Sequence, residues 1–564
     1  MNHQGEDRAR RAFNRRTFVG VSAATLAAIL QACSSSSSST SQPAAGSTTA
    51  GTGSTPGSQP AVGNLGALSA ITGDAPAEAT NQTINVAVSA LDDQIPDPHL
   101  ITGGNKNVIL WSTFDQLARR ELDGSLQPTL ATEWSTSSDS LTWTLKLRPG
   151  VTFHDGSAFT AQDVVTAVER VKAADFVPFV QFNKYVTGAR VVDDLTVEIT
   201  TNAPYPTLMI DAPAPIPTAY YQKVGDQAFR SAPVGTGPFK FKSQALNASM
   251  TFERFDGFWD PERRPNFTTL VLQIVPEESA RLAGLQTGAI DLAHGLTANS
   301  AKQMQGSDLR IVEVKTGAIA VAGVFEMLDP SSGAPLTNLD VRKALLMAID
   351  REGIAKSLYG GFAEVPANIN PPTALGYRSD LQPYPYDPEG AKKLLADSGN
   401  SKLSVTLHSY SATTAIPEVQ KLDEAIVGYW QQIGIDATLD ISDAATYLPK
   451  YRNKQIPSGL GMLGFPSFGA LEPNYYATFY VPTGYYPSLD DQSVTDLLGK
   501  IATTVDTDQR RELGEQLSTY MHDQLPALPI VSPSTLFGVG KKIAEFKPMS
   551  SNPYAGPFWY LRAY

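Results

Sequence analysis

The chain has 564 residues, and its 44 Lys and Arg stand against 56 Asp and Glu, a formal net charge of −12. That balance argues against a nucleic-acid or anionic-membrane binder, which needs a cationic face. Cys33 is the sole cysteine, so an intrachain disulfide and a CxxC metal or redox site are excluded. The length exceeds one compact core, and two or three lobes are expected.

In chain order, the first element is an address. Arg15 and Arg16 precede a mild apolar run from Val19 to Leu30. A charged stretch, an apolar run and small residues before a cut site make an export signal. The run is too short to span a bilayer, which takes about 20 residues. The paired arginines resemble a twin-arginine signal. Leu30-Gln31-Ala32-Cys33 is similar to the lipobox of bacterial lipoproteins, with Gln31 bulkier than the usual small residue. This resemblance implies that residues 1–32 are a signal peptide and that Cys33 is lipidated, holding the protein at the outer face of the cytoplasmic membrane. A plain secretory signal with an incidental cysteine is the alternative. Residues 33–82 begin with the run Ser34 to Ser39 and stay rich in Ser, Thr, Gly, Ala and Pro. Such a segment buries too little apolar surface to offset its ordering entropy and reads as a disordered tether. About 50 residues of Gly/Ser-type coil reach roughly 40 Å end to end.

The exported part alternates strand and helix patterns, an α/β reading. Ile84, Val86 and Val88 alternate with polar residues as in a strand. Leu141 to Leu147 alternates again and ends in the turn Arg148-Pro149-Gly150, after which Val151-Thr152-Phe153 is expected to close a hairpin. Thr160-Ala161-Gln162-Asp163 has the shape of a capping box, followed by the inward stripe Val164, Val165, Val168 and Val171. Leu195, Val197 and Ile199 mark another strand. Thr337 or Asn338 caps a helix with Val341, Ala344, Leu345, Ala348 and Ile349 on one face. Asp387-Pro388 starts the next helix. Gly434 ends a later one, and Ile435, Ala437, Leu439 and Ile441 alternate after it.

Several segments, taken in order, resemble the large solute-binding proteins of ABC importers, family 5, which includes oligopeptide-, dipeptide- and nickel-binding members. They are Pro128 to Trp134, Leu141 to Gly156 with Thr160 to Asp163, Pro233-Val-Gly-Thr-Gly-Pro-Phe239, Phe258-Trp259, Leu285 to Asp291, Asp340 to Arg351, and Trp430 to Ile435. The resemblance implies a two-lobed periplasmic-binding-protein-like fold of type II, with an extra subdomain and a hinge. By analogy, lobe I takes 83–114, 203–314 and 538–564, the subdomain 115–202, and lobe III 315–537. It also implies a function: capture of an extracellular solute between the lobes and delivery to a membrane permease, with no cofactor and a monomeric chain. His154-Asp155 then reads as a turn rather than as catalytic machinery.

In peptide-binding members a segment of lobe III lies beside the ligand backbone and ends in an aspartate that pairs with the ligand's α-ammonium. Here the matching stretch places Gly464, Phe465, Pro466, Ser467, Phe468 and Glu472 at the ligand, with no aspartate at the expected position. An enclosed ammonium without a carboxylate lacks compensation for its desolvation, so a free peptide N-terminus is in doubt. Glu472 is the nearby acid. Tyr475, Tyr476, Phe479, Tyr480, Tyr485 and Tyr486 add rings that could stack on sugars or apolar side chains, or serve as core. Gly104 and Asn105, in the loop 102–107, match the opposite ligand wall. Peptide is the first reading of the ligand, oligosaccharide the runner-up, and a nickel chelate or haem a third. A secreted hydrolase is the rival from another class. It lacks support, because the six histidines include no HExxH pair and no G-x-S-x-G elbow occurs.

Overall fold

A computed structural model describes residues 67–564, apart from 92–93, 101–105, 121–125, 175, 177–178, 316–317, 373, 412–415, 466–479, 549–555, 557 and 559. The alternating segments become two main sheets. The first holds β1 (Thr83–Val88), β8 (Phe239–Ala245), β9 (Ser249–Arg254), β10 (Thr269–Ile274), β11 (Leu292–Leu296), β12 (Arg310–Val314) and β19 (Thr535–Val539), in the order β12-β19-β11-β1-β10-β9-β8. The second holds β13 (Ile319–Val324), β14 (Ala363–Glu364), β15 (Ser404–Tyr410), β16 (Asp436–Ser442), β17 (Leu460–Phe465) and β18 (Ala527–Pro533), in the order β14-β18-β13-β17-β15-β16. Ile84, Val86 and Val88 of β1 are fully buried, as their alternation predicts. Every residue of β13 is buried because the strand is central and covered on both faces.

A four-stranded sheet of β4 (Ala131–Thr136), β5 (Thr142–Leu147), β6 (Val186–Asp193) and β7 (Thr196–Thr201) forms a third layer, ordered β4-β5-β7-β6. The helix Ala161–Ala174 lays Val164, Val165, Val168 and Val171 into its core. Asp163 Oδ2 accepts the Thr160 N–H at 2.8 Å, which is the reciprocal half of a capping box. Two small ladders complete the strands: β2 (Ala118–Arg120) with β3 (Leu126–Pro128), and β20 (Ile543–Phe546) with β21 (Leu561–Ala563).

Two expectations change. Val151 to Phe153 does not pair with β5, whose edges are taken by β4 and β7. Thr152 instead bridges Ala158 across a turn that Gly156 makes at φ 87°. Residues 67–82, read as the end of the tether, lie against the first sheet. Leu68 exchanges backbone bonds with Ile311 and Glu313, and Ile71 with Phe546. Ile71 and Ala79 are buried. Three small apolar anchors in a polar stretch are too sparse to register as composition, but each finds a backbone partner.

The chain passes between the two main sheets at two places, Val314 to Ile319 and Pro533 to Thr535. β12 pairs antiparallel with β19, and β13 antiparallel with β18. Both passages therefore leave from the same end of each sheet. In the first sheet that end carries the C-termini of β1, β10 and β11; in the second it carries those of β15, β16 and β17. The carboxyl ends of the strands in both layers thus meet the crossings.

Candidate functional site

Open α/β sheets bind ligands outside the carboxyl ends of their strands, and β17 reaches that end at Gly464 and Phe465. Its two edges differ. Toward β13 it is paired along its whole length, Ile319↔Phe465 through Val324↔Leu460. Toward β15 the ladder stops after Leu407↔Leu460 and His408↔Gly461. Beyond that point two tyrosines take over. The Tyr447 hydroxyl donates to the Met462 carbonyl at 2.9 Å, and the Gly464 N–H donates to the Tyr410 hydroxyl at 2.8 Å. The two rings lie 5.4 Å apart and both are buried. The strand end is therefore held by side chains where the backbone ladder has splayed open. Neither tyrosine stands out in the sequence, since each follows ordinary strand or helix residues.

The first sheet brings a buried charge cluster to the chain just before the loop 101–105. Arg170, on the helix Ala161–Ala174, donates to both oxygens of Asp97, at 2.9 and 2.6 Å, and to Asp226 Oδ1 at 2.6 Å. It also donates to His99 Nδ1 at 2.9 Å, which leaves Nε2–H to face the Ala214 carbonyl at 2.9 Å. Burial, with Arg170 beside it, lowers the His99 pKa to about 4, so the ring is neutral. Burial alone would weaken the Arg170 charge, but Asp97 and Asp226 hold it firmly protonated.

The second layer holds the opposite case. Asp423, on the helix Val419–Gln432, is fully buried. Its near neighbour is the Ser409 hydroxyl of β15, and no ion pair reaches it among the described residues. Burial raises its pKa to about 7.

A family model described as bacterial extracellular solute-binding proteins, family 5, matches residues 125–486. The chain belongs to that family. The dipeptide-binding protein of Escherichia coli K12 is 27% identical over 444 residues, 73% of this chain and 81% of the relative. NikA of Brucella suis, solved in complex with Fe(III)-EDTA, superposes with a TM-score of 0.76 at 20% identity, covering 86% of this chain and all of that one (100%). DppA of Helicobacter pylori, an ABC transporter-associated periplasmic binding protein solved with the peptide STSA, gives 0.69 at 22% identity, covering 85% and 98%. These two likenesses establish the shared two-lobed fold. The family 5 chain is accordingly a solute-binding component of an ABC importer.

In this family 5 protein, Gly464 sits half-buried at the end of β17 and Phe465 closes the strand. Pro466, Ser467, Phe468, Glu472, Gly104, Asn105, Cys33, Arg15 and Arg16 lie outside the described residues, as do Tyr475, Tyr476 and Phe479. Among the other rings, Tyr480 is fully buried and Tyr486 packs edge-on to Tyr451 at 5.5 Å. Tyr485 is exposed under the Arg452 guanidinium at 3.8 Å. All three stand near Tyr451, whose ring meets Phe325 at 4.6 Å beside the start of β17. They therefore belong to the end away from the crossings.

His154 is part of a turn. Its Nδ1 accepts the Gly235 N–H and its Nε2 faces the Gly237 carbonyl, while burial lowers its pKa to about 4. A cavity of about 610 Å³ opens beside Gly288, Asp291, Asp308, Gly540 and Lys541. These residues precede β11 and β12 and follow β19, so the cavity lies at the end of the first sheet remote from the crossings. Its charges are already paired, Lys541 with Asp308 at 2.6 Å and Lys542 with Asp291 at 3.0 Å. Among the described residues, no group of three His, Cys, Asp or Glu side chains could hold a metal ion, and no helix is long and apolar enough to cross a membrane.

Proposed function

We propose that the captured solute is a peptide, held between the carboxyl ends of the two sheets with its backbone alongside the end of β17. The observation that carries this reading is the asymmetry of β17. One edge is locked to β13 and the polar groups of the other are held by Tyr410 and Tyr447, so the strand end is rigid where it leads into the proposed site. The dipeptide-binding relative and the peptide-bound neighbour support the same class of ligand. Pro466, Ser467, Phe468 and Glu472, which follow β17 in the sequence, and Gly104 and Asn105 are the residues proposed to contact the ligand.

The proposed lobes follow the sheets. Lobe I takes 83–114, 203–314 and 538–564, the last beginning within β19, which joins β11 and β12. The subdomain takes 115–202, and lobe III the six-stranded layer. The chain works as a monomer, leaves its solute chemically unchanged and is anchored through a lipidated Cys33 after cleavage of residues 1–32.

Mass spectrometry of material released from the purified, denatured protein tests the ligand. A ladder of peptide masses is the expected result. Hexose-spaced masses would replace peptide by oligosaccharide, and an iron or nickel isotope pattern would replace it by a metal chelate such as the one in NikA. Recovery of the same masses after long incubation separates a binder from a hydrolase. For the anchor, Cys33→Ser is expected to move the protein from the membrane fraction to the soluble fraction. Retention in the membrane would count against lipidation.

A further inference from the structure

The two lobes meet through more than the two strand crossings. Phe362 follows the helix Arg351–Ser357, whose Ile354 and Ala355 lie in the core of the six-stranded layer. Its own ring goes the other way. It is 2% exposed and is buried with Leu282, Leu285, Ile290, Leu296 and Leu536, the apolar cluster of the seven-stranded layer. Gly360 and Gly361 make the turn that delivers it, at φ 61° and 88°. A Cβ added at Gly360 would lie 2.7 Å from the Ala298 Cβ of lobe I, so the backbone of one lobe is pressed against the other.

Polar bonds tie this plug to both crossings. The Ser534 N–H donates to the Phe362 carbonyl at 2.9 Å, and the Ser534 hydroxyl donates to Glu313 Oε1 at 2.7 Å. Lys315 Nζ donates to Glu364 Oε1 at 2.6 Å. Glu313 precedes the first crossing and Lys315 lies in it, Ser534 forms the second, and Glu364 follows the plug. The bonds therefore close a ring through all three contacts.

We propose that Phe362 is a third hinge element, a noncovalent one, that fixes the angle between the lobes before ligand arrives. Two short chain crossings alone make a soft joint. A buried ring beside them narrows the range of angles, because each departure returns apolar surface to water. The fraction of binding-competent chain then follows from this contact, and apparent affinity scales with that fraction.

Spin labels test the proposal without any ligand. Gln286→Cys and Lys393→Cys place one exposed label on each lobe, in the full chain carrying Cys33→Ser so that no other thiol competes. The parent chain is expected to give one narrow inter-lobe distance. Phe362→Ala, and Gly360→Ala which pushes the turn off Ala298, are expected to make that distribution about twice as wide. Ser534→Ala removes one hydroxyl, keeps both cores intact and is expected to widen it less. Thermal unfolding identifies which variants are folded. An unwidened distribution in a folded Phe362 or Gly360 variant overturns the proposal; if neither folds, an unwidened Ser534→Ala chain does so.

Discussion

Asp97 and Asp423 are both fully buried acidic side chains, the first following β1 of the seven-stranded sheet and the second on a helix against the six-stranded one, and they are handled in opposite ways. Asp97 receives two N–H donors from Arg170 and the backbone N–H of His99 at 2.9 Å. Asp423 has the Ser409 hydroxyl and, among the described residues, no ion-pair partner. Equal burial therefore does not mean equal electrostatics. At Asp97 the charge is neutralised and pins together the chain before residue 101, the helix Ala161–Ala174 and Asp226. Asp423 avoids the cost of a buried charge by keeping its proton up to about pH 7.

The comparison can be broken first at Arg170. Arg170→Met leaves Asp97 buried without a counter-charge, and a loss of about 3–5 kcal/mol is expected in urea unfolding. A loss below about 1 kcal/mol would mean that water already screens the site.

The acid response of the two lobes should differ in sign. His99 and His154 have pKa values lowered to about 4, so the folded chain binds fewer protons than the unfolded one between pH 6.5 and 4. Their contribution to stability is lost as pH falls through that window. Asp423 is raised to about 7, so its folded form binds more protons between pH 4 and 7. That contribution is present at low pH and lost as pH rises through 7. Asp423→Asn is thus expected to raise the unfolding free energy at pH 8 by roughly 4 kcal/mol, at about 1.4 kcal/mol per pH unit, with little change at pH 4. Melting curves at the two pH values check this, and a variant equally stabilised at both would remove ionisation as the cause.

Tyr410→Phe takes away the acceptor for the Gly464 N–H. A loss of about 1 kcal/mol in stability is expected, together with weaker peptide binding by calorimetry if the end of β17 lines the ligand. Phe468→Ala is expected to weaken binding more than Phe258→Ala, since Phe258 is packed under Arg263 at 5.0 Å. The smallest effect belongs to exposed pairs such as Lys392 with Glu389, where Lys392→Ala should change stability by less than about 0.5 kcal/mol.

Much of the scaffold was legible in the sequence because it rests on local rules. The alternation of Ile84, Val86 and Val88, the Asn338 and Asp387 caps and the Gly434 stop need only neighbours within a few residues. Gly464 and Phe465 were proposed through a motif, and the structure shows that they end β17. Tyr410, Tyr447 and Asp423 were not, because their roles depend on a ladder that splays and on a helix that covers it. The packing of Leu68, Ile71 and Ala79 was hidden for the same reason, since its partners lie more than 150 residues away in Ile311, Phe546 and Asn266.

By itself, then, the sequence determined the α/β layers and the family, both of which are written in short-range periodicity and contiguous motifs. Only the tertiary structure decided which ends of the strands face the crossings, which buried carboxylate has a counter-charge, and that a phenylalanine from one lobe is seated in the core of the other. Those outcomes depend on surfaces brought together from distant parts of the chain, where burial and the facing charge are set by the partner rather than by the residue.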